Sequence, residues 1–298
     1  MSSRRDNSDA SLLQEISKPW KTRLQLERLS RTSRSQYESF QFAVLGDCEP
    51  GRFWIFRALF NQKGVFTRQL ASIQSQSIDF SIQLGDMVSR GLPGHYLNFF
   101  KELSDVDVSK PYLTVIGNHD RHKPHGRSNS AMYRKIFGMN NYFFERGGAR
   151  FIVLDSSSGR VSKAQLKWLQ IVSQTPLRKI VFTHMPPARL ELWGSSAAVK
   201  RMGGFSEGAE GFVETMGRAG VDRVYMGHVH AFGVQDYKNV RYVLTGGGGS
   251  PLFPCGASDK FHHFLTVSVS PSEVQERVHT LEGSSFSIPS GKVLLANA

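Results

Sequence analysis

Cysteine is scarce: Cys48 and Cys255 are the only two in 298 residues, too few for a disulfide framework or a four-thiolate zinc site. A single bridge between them stays open, but two thiols kept reduced in a reducing compartment fit the composition better. No apolar run approaches the roughly 20 residues that cross a bilayer. The N-terminus, MSSRRDNSDA, has no uninterrupted apolar stretch behind it, which argues against a secretory signal. By elimination the chain is expected to be cytoplasmic, with no membrane partner. Also missing are a nucleophile elbow, a Walker A loop and a dinucleotide-binding glycine fingerprint, so covalent serine chemistry and nucleotide-cofactor chemistry lack support. The formal net charge is +12, yet no run of five Lys or Arg occurs and basic residues are scattered from Arg4 to Lys292. An anion-friendly surface is the simpler reading, and nucleic acid is an open but less favoured partner.

What is present suits a globular α/β enzyme: 40% hydrophobic residues and 28 glycines. Residues 1–38 read as a polar N-terminal extension, with a short helix around Leu24 to Leu29. Residues 39–280 carry the strands and helices of one domain, and 281–298 form a C-terminal tail. Within the domain, three apolar runs predict strands at Phe42–Leu45, Ile78–Leu84 and Tyr112–Ile116. Helical spacing is read from Phe53 towards Ile73 and over Tyr96–Leu103, so spacing and order predict parallel β-α-β units. Strands are also expected at Tyr142–Phe144, Phe151–Leu154, Lys179–Phe182, Val221–Met226, Val240–Leu244 and Phe264–Val269. Helices are expected at Ser162–Val172, with Ser162 as a capping candidate, and at Glu207–Arg218. Gly246 to Gly249 read as a loop that needs steric freedom.

Each of the first three strands ends in glycine followed by a metal-competent side chain: Gly46-Asp47, Gly85-Asp86 and Gly117-Asn118-His119-Asp120. Later strands run into Thr183-His184 and Gly227-His228-Val229-His230. Ligand sites of open α/β sheets lie beyond the carboxyl ends of strands, so these tips are expected to converge. Together Asp47, Asp86, Asn118, His184, His228 and His230 offer the carboxylates, imidazoles and oxygen donors that two neighbouring divalent ions need. His228 and His230, two apart, leave an extended backbone on one face. Taken singly, a Gly-Asp is a turn and a buried His is a bonded core residue; the ordered set points to chemistry.

That order resembles the calcineurin-like metallophosphoesterase superfamily over residues 41 to 232. The resemblance implies two mixed β-sheets packed as a sandwich with helices on the outer faces. It also implies hydrolysis of a phosphate mono- or diester by in-line attack of a metal-bound hydroxide. Carried over by position, Asp86 bridges the two metals, Asp47 and His230 hold the first, and Asn118, His184 and His228 hold the second. His119 lies over the leaving group and Arg90 binds a phosphate oxygen. The ions would be Mn, Fe, Zn or Mg, and the partner a phosphorylated substrate.

Two positions depart from the family pattern. Where it has Asp-x-His, this chain has Asp47-Cys48-Glu49; where its second carboxylate orients the histidine of Asn-His, this chain has Ser89. Glu49 either supplies an oxygen to the first metal, favouring Mn²⁺ or Mg²⁺, or points away. A nuclease or cyclic-nucleotide diesterase, and a non-catalytic metal-binding module, are the competing functions. His95, His122 and His125 are candidate cleft residues, and His262 and His263 read as structural, one inward and one outward. Phe99, Phe100, Tyr142, Phe143 and Phe144 read as core.

Overall fold

In strand β1 (Phe40–Leu45) successive side chains enter different cores: Phe42 and Val44 join one apolar cluster, Ala43 and Leu45 another. A period of two gives this when both faces of a strand are covered. The computed structural model describes residues 2–49, 64–123, 128–190, 203–252, 261–289 and 294–295. After β1 the strands are β2 (Phe80–Gln83), β3 (Tyr112–Thr114), β4 (Tyr142–Arg146), β5 (Ala149–Leu154), β6 (Arg178–Thr183), β7 (Arg223–Met226), β8 (Phe232–Tyr237), β9 (Val240–Thr245), β10 (His263–Val269), β11 (Val274–Thr280), β12 (Ser285–Ser287) and β13 (Leu294–Leu295). The helices are α1 (Ser2–Ser17), α2 (Thr22–Ser30), α3 (Val65–Gln74), α4 (Pro93–Ser104), α5 (Ala131–Ile136), α6 (Lys163–Val172) and α7 (Ala209–Arg218).

Six strands form one sheet in the order β12-β11-β10-β1-β2-β3, and seven form the other in the order β13-β8-β9-β7-β6-β5-β4. Strands β1, β2 and β3 are parallel, as are β5, β6, β7 and β9; β10 joins β1 antiparallel and continues into β11 and β12, while β4, β8 and β13 pair antiparallel in the second sheet. Between the sheets lie Phe42, Phe80, Phe151, Phe182 and Tyr225, with Phe42 and Phe80 stacked at 5.1 Å. The outer face of the first sheet packs on Phe66, Leu70, Tyr96 and Phe99, and that of the second on Leu169, Phe212 and Met216. The result is the expected sandwich of two mixed sheets with helices outside. Helix α6 starts where the sequence predicts, with Ser162 and Gln165 closing a reciprocal capping box.

Both ends of the chain contribute more than the sequence suggests. In place of one short helix, residues 2–30 form α1, a 3₁₀ turn and α2. Helix α1 lies against α4 and α5 and buries Leu13. Trp20 meets the rings of Phe100 and Tyr112 at 6.1 and 5.8 Å. Buried Gln25 accepts a bond from the Tyr112 backbone at 2.8 Å. The stretch set apart as an extension is therefore packed on the domain. The tail likewise supplies edge strands, β12 beside β11 and β13 beside β8. Among the described residues no helix is long and apolar enough to cross a membrane. Cys255, His125 and the first half of the helical stretch from Phe53 lie outside the described residues.

Candidate metal centre

Asp47 follows β1 and Asp86 follows β2, while Asn118 and His119 lie just beyond β3. From the other sheet, β6 runs directly into His184 and β7 ends two residues before His228. The parallel strands of each sheet thus bring their carboxyl ends to one place, and the side chains meet there. Asp47, Asp86, Asn118, His184 and His228 are all buried.

Ligand-capable atoms of Asp86, His184 and His228 lie within 4.8 Å of one another, a group that could hold a metal ion. His184 Nε2 is 3.3 Å from Asp86 Oδ2 and 3.0 Å from Asn118 Oδ1, and His228 Nδ1 is 2.9 Å from that same Oδ1. Donors held at about 2.1 Å from one ion, at angles between a right angle and tetrahedral, stand about 3.0–3.4 Å apart. The spacings agree with that requirement. His184 donates its Nδ1 proton to the Leu84 carbonyl at 2.8 Å, so Nε2 is the ring atom that faces the group. Two carbonyl-type oxygens and two ring nitrogens facing one another repel unless a cation, proton or metal, lies among them. The Asn118 amide nitrogen is buried without a hydrogen-bond partner among the described residues, so Asn118 is held by its oxygen's side of the group.

Asp47 lies beside this cluster. Both its oxygens accept the His228 backbone N–H, at 3.0 and 2.9 Å. Its Oδ1 stands 3.8 Å from His230 Nε2 and 3.8 Å from His184 Nδ1. His230 donates Nδ1–H to the Pro251 carbonyl at 2.7 Å, so here too Nε2 is the atom turned towards the carboxylates. Charge balance separates the two acids. Burial pushes the Asp47 carboxyl up to about 8, with His184 opposing and Asp86 adding to the rise. Asp86 is equally buried, but the charges of His184 and His119 outweigh burial and hold it below the usual carboxylate range. For His184, burial works against the imidazolium, yet neighbouring Asp86 raises the ring to about 10. Burial brings His230 down to about 4.

His119 donates its backbone N–H to Asp86 Oδ1 at 2.9 Å. Its ring Nδ1 is 3.1 Å from the Ser89 carbonyl and 3.2 Å from Glu49 Oε2. Arg90 is exposed. Together with burial, its charge lowers the pKa of His95, whose Nδ1 lies 3.0 Å from the Ser89 hydroxyl. His122 is exposed. His262 and His263 are both buried, so neither points outward; each bonds the loop around Gly247 or the strand beside it. Phe143, expected in the core, is 44% exposed under the Arg150 guanidinium.

The backbone at 228–230 is not extended. His228 has φ 72° and Asp86 φ 48°, a left-handed conformation that costs a residue with a side chain about 1–2 kcal/mol. Tight turns, Val229 N–H to Gly227 and Ala231 N–H to Val229, aim the two imidazoles instead of strand periodicity. Sequence reading also missed two braces. Buried Asp120 accepts the Gly117 and Met87 amides at 2.8 and 3.1 Å, tying the Asn118 loop to the Asp86 loop; its place in Gly-Asn-His-Asp was the available signal. No signal marked the Pro251 carbonyl.

The family model of calcineurin-like phosphoesterases matches residues 40–232. A bovine protein named Serine/threonine-protein phosphatase CPPED1 is 25% identical over 227 residues, 68% of either chain. Purple acid phosphatase PPD1 from yellow lupin seeds superposes with TM-score 0.66 and 17% identity, over 85% of this chain and 54% of its own. This chain therefore spans about half the length of the lupin protein. GAP50, described as the anchor in the inner membrane complex of Plasmodium, superposes with TM-score 0.55 and 17% identity over 85% of this chain and 90% of its own. At such identities the two structures establish the fold.

Proposed function

The chain belongs to the calcineurin-like phosphoesterase family, and on that premise we propose that it hydrolyses a phosphate mono- or diester with two divalent ions. Asp47 and His230 would hold the first ion, Asn118, His184 and His228 the second, and Asp86 would serve both. When bound, such ions acidify a water nucleophile and offset negative charge on the phosphoryl oxygens. The chain's own residues supply the rest. His119, tied to the Asp86 loop through its backbone, would hold the proton that the leaving oxygen takes up. Arg90 is exposed beside that loop, as a guanidinium that grips an incoming phosphate oxygen has to be.

The observation that carries this reading is the convergence of four donor atoms from both sheets within 3.3 Å contacts. Donors so buried and so close serve a cation better than they serve packing. The test is metal quantification alongside a panel of aryl and natural phosphate mono- and diesters, with added Mn²⁺, Fe²⁺, Zn²⁺ or Mg²⁺. The bovine relative's name makes phosphoserine and phosphothreonine peptides natural members of the panel. Two bound ions and turnover on at least one ester are expected. Bound metal without turnover on any ester would favour a binding role, of the kind the word anchor describes for GAP50.

A further inference from the structure

The two departures from the family pattern meet at one imidazole. Glu49 is buried, and its Oε2 lies 3.2 Å from His119 Nδ1. The Ser89 carbonyl lies 3.1 Å from the same nitrogen. The Ser89 side chain is occupied elsewhere, with its hydroxyl 3.0 Å from His95 Nδ1. A carbonyl hydrogen-bonded to Nδ1, with a carboxylate close by, requires that this nitrogen carry the proton, which fixes the tautomer and leaves Nε2 for chemistry. The hydrogen bond of this nitrogen runs to the Ser89 carbonyl, and the Glu49 carboxylate sets its negative charge beside the same N–H at 3.2 Å.

We propose that Glu49 is the positioning residue of His119 and not a ligand of the first ion. The carboxylate that sets the histidine's orientation is carried on the β1 loop, two residues after Asp47, while position 89 contributes its backbone. The proposal rests on the phosphoesterase reading above, in which His119 acts at the leaving group. It leaves Asp47, Asp86 and His230 as the protein donors to the first ion.

The experiment compares wild type with the near-isosteric Glu49→Gln and with Glu49→Ala, each loaded with Mn²⁺. The expected result is a kcat lower by about 10–100-fold with KM changed by less than about threefold. Metal per chain should stay at the wild-type value. Loss of one metal equivalent in either variant would make Glu49 a ligand and overturn the proposal, and so would an unchanged kcat. A second measurement needs neither substrate nor metal. In the metal-free wild type, the His119 Nδ1 proton should give a resolved low-field resonance in the proton NMR spectrum. Glu49→Gln should shift it upfield or lose it to exchange; an unchanged resonance overturns the proposal. A wild type that binds two ions but cleaves no ester would sink the functional reading alone, because the resonance still decides the role of Glu49.

Discussion

Around Asp86 the donor atoms of His184, His228 and Asn118 contact one another at 2.9–3.3 Å, whereas around Asp47 the nearest ring nitrogens stand at 3.8 Å. The electrostatics divide the same way. Asp86 is held ionised by its imidazole neighbours, while burial dominates at Asp47 and lifts its carboxyl to about 8. Glu49, the residue that would complete the second group, faces His119. The difference teaches that one site can be built to two tolerances. On the proposed dinuclear reading, the donors around Asp86 already stand at contact distance, and those around Asp47 would be drawn together by their cation. On the dinuclear reading, the two ions should bind with unequal affinity.

The sharpest way to break that comparison is to remove its shared member. On the proposed reading Asp86→Ala would take a carboxylate from both halves, and kcat/KM should fall by about 10³-fold or more, the equivalent of about 4 kcal/mol of lost charge stabilisation. Wild-type rates in the folded variant would show that the cluster is not the reacting site. Asp47→Ala should do less. One equivalent of metal is lost on dialysis, and kcat falls by about 10–100-fold but recovers part of the loss as metal is raised. Loss of both ions from Asp47→Ala would show that the halves are not separable.

How much of this was legible beforehand depends on what each residue's position rests on. Strand ends were readable because an apolar run followed by glycine and an acid is a local signal, and Asp47, Asp86, Asn118, His184, His228 and His230 do come together. The tight aim of those side chains was not readable. It comes from the positive φ of Asp86 and His228, which no periodicity encodes, and from the distant carbonyls of Leu84 and Pro251. Helix α1 escaped notice because its sequence, SSRRDNSDASLLQEIS, has little apolar stripe; its packing on α4 is a tertiary fact. The closeness of Glu49 to His119 likewise depends on a loop seventy residues away, and spacing along the chain carries no trace of it.

Two glycines sharpen the comparison without touching a donor. A methyl group on Gly117 would lie 2.1 Å from Asp86 Oδ1 and 2.2 Å from the Asp86 backbone nitrogen. Backbone cannot yield cheaply, so Gly117→Ala should cost about 1–3 kcal/mol of stability and weaken the Asp86 half. On Gly227 the same methyl would lie 2.6 Å from Asp47 Oδ2, at a side-chain tip. Gly227→Ala should leave the melting temperature closer to wild type and mainly weaken the first ion. Thermal unfolding with isothermal titration of Mn²⁺ distinguishes them; equal losses of stability and equal losses of affinity would contradict unequal halves.

The smallest effect is expected beneath the looser half, where acid should act through His263. This ring is wholly buried, its Nδ1–H donates to the Phe261 carbonyl at 2.8 Å, and its Nε2 lies 3.0 Å from the Thr245 hydroxyl. Its backbone N–H bonds Gly247, in the loop whose far end, Ser250, donates to the Asp47 carbonyl at 3.1 Å. Burial lowers the imidazole to about 4, against about 6.5 in an unfolded chain. Between those values the unfolded state binds the extra proton, so this contribution to stability is present above pH 6.5 and is lost as pH falls towards 4. From pH 7.5 to 5.5 the loss should be about 1 kcal/mol. In His263→Gln, which has no proton to gain, that part of the pH slope should vanish even though the variant is less stable at neutral pH. Urea unfolding of the metal-free proteins at both pH values isolates the slope. Identical slopes would mean that the ring takes up its proton without leaving the fold, and the loop behind Asp47 would then be no softer in acid than the rest of the site.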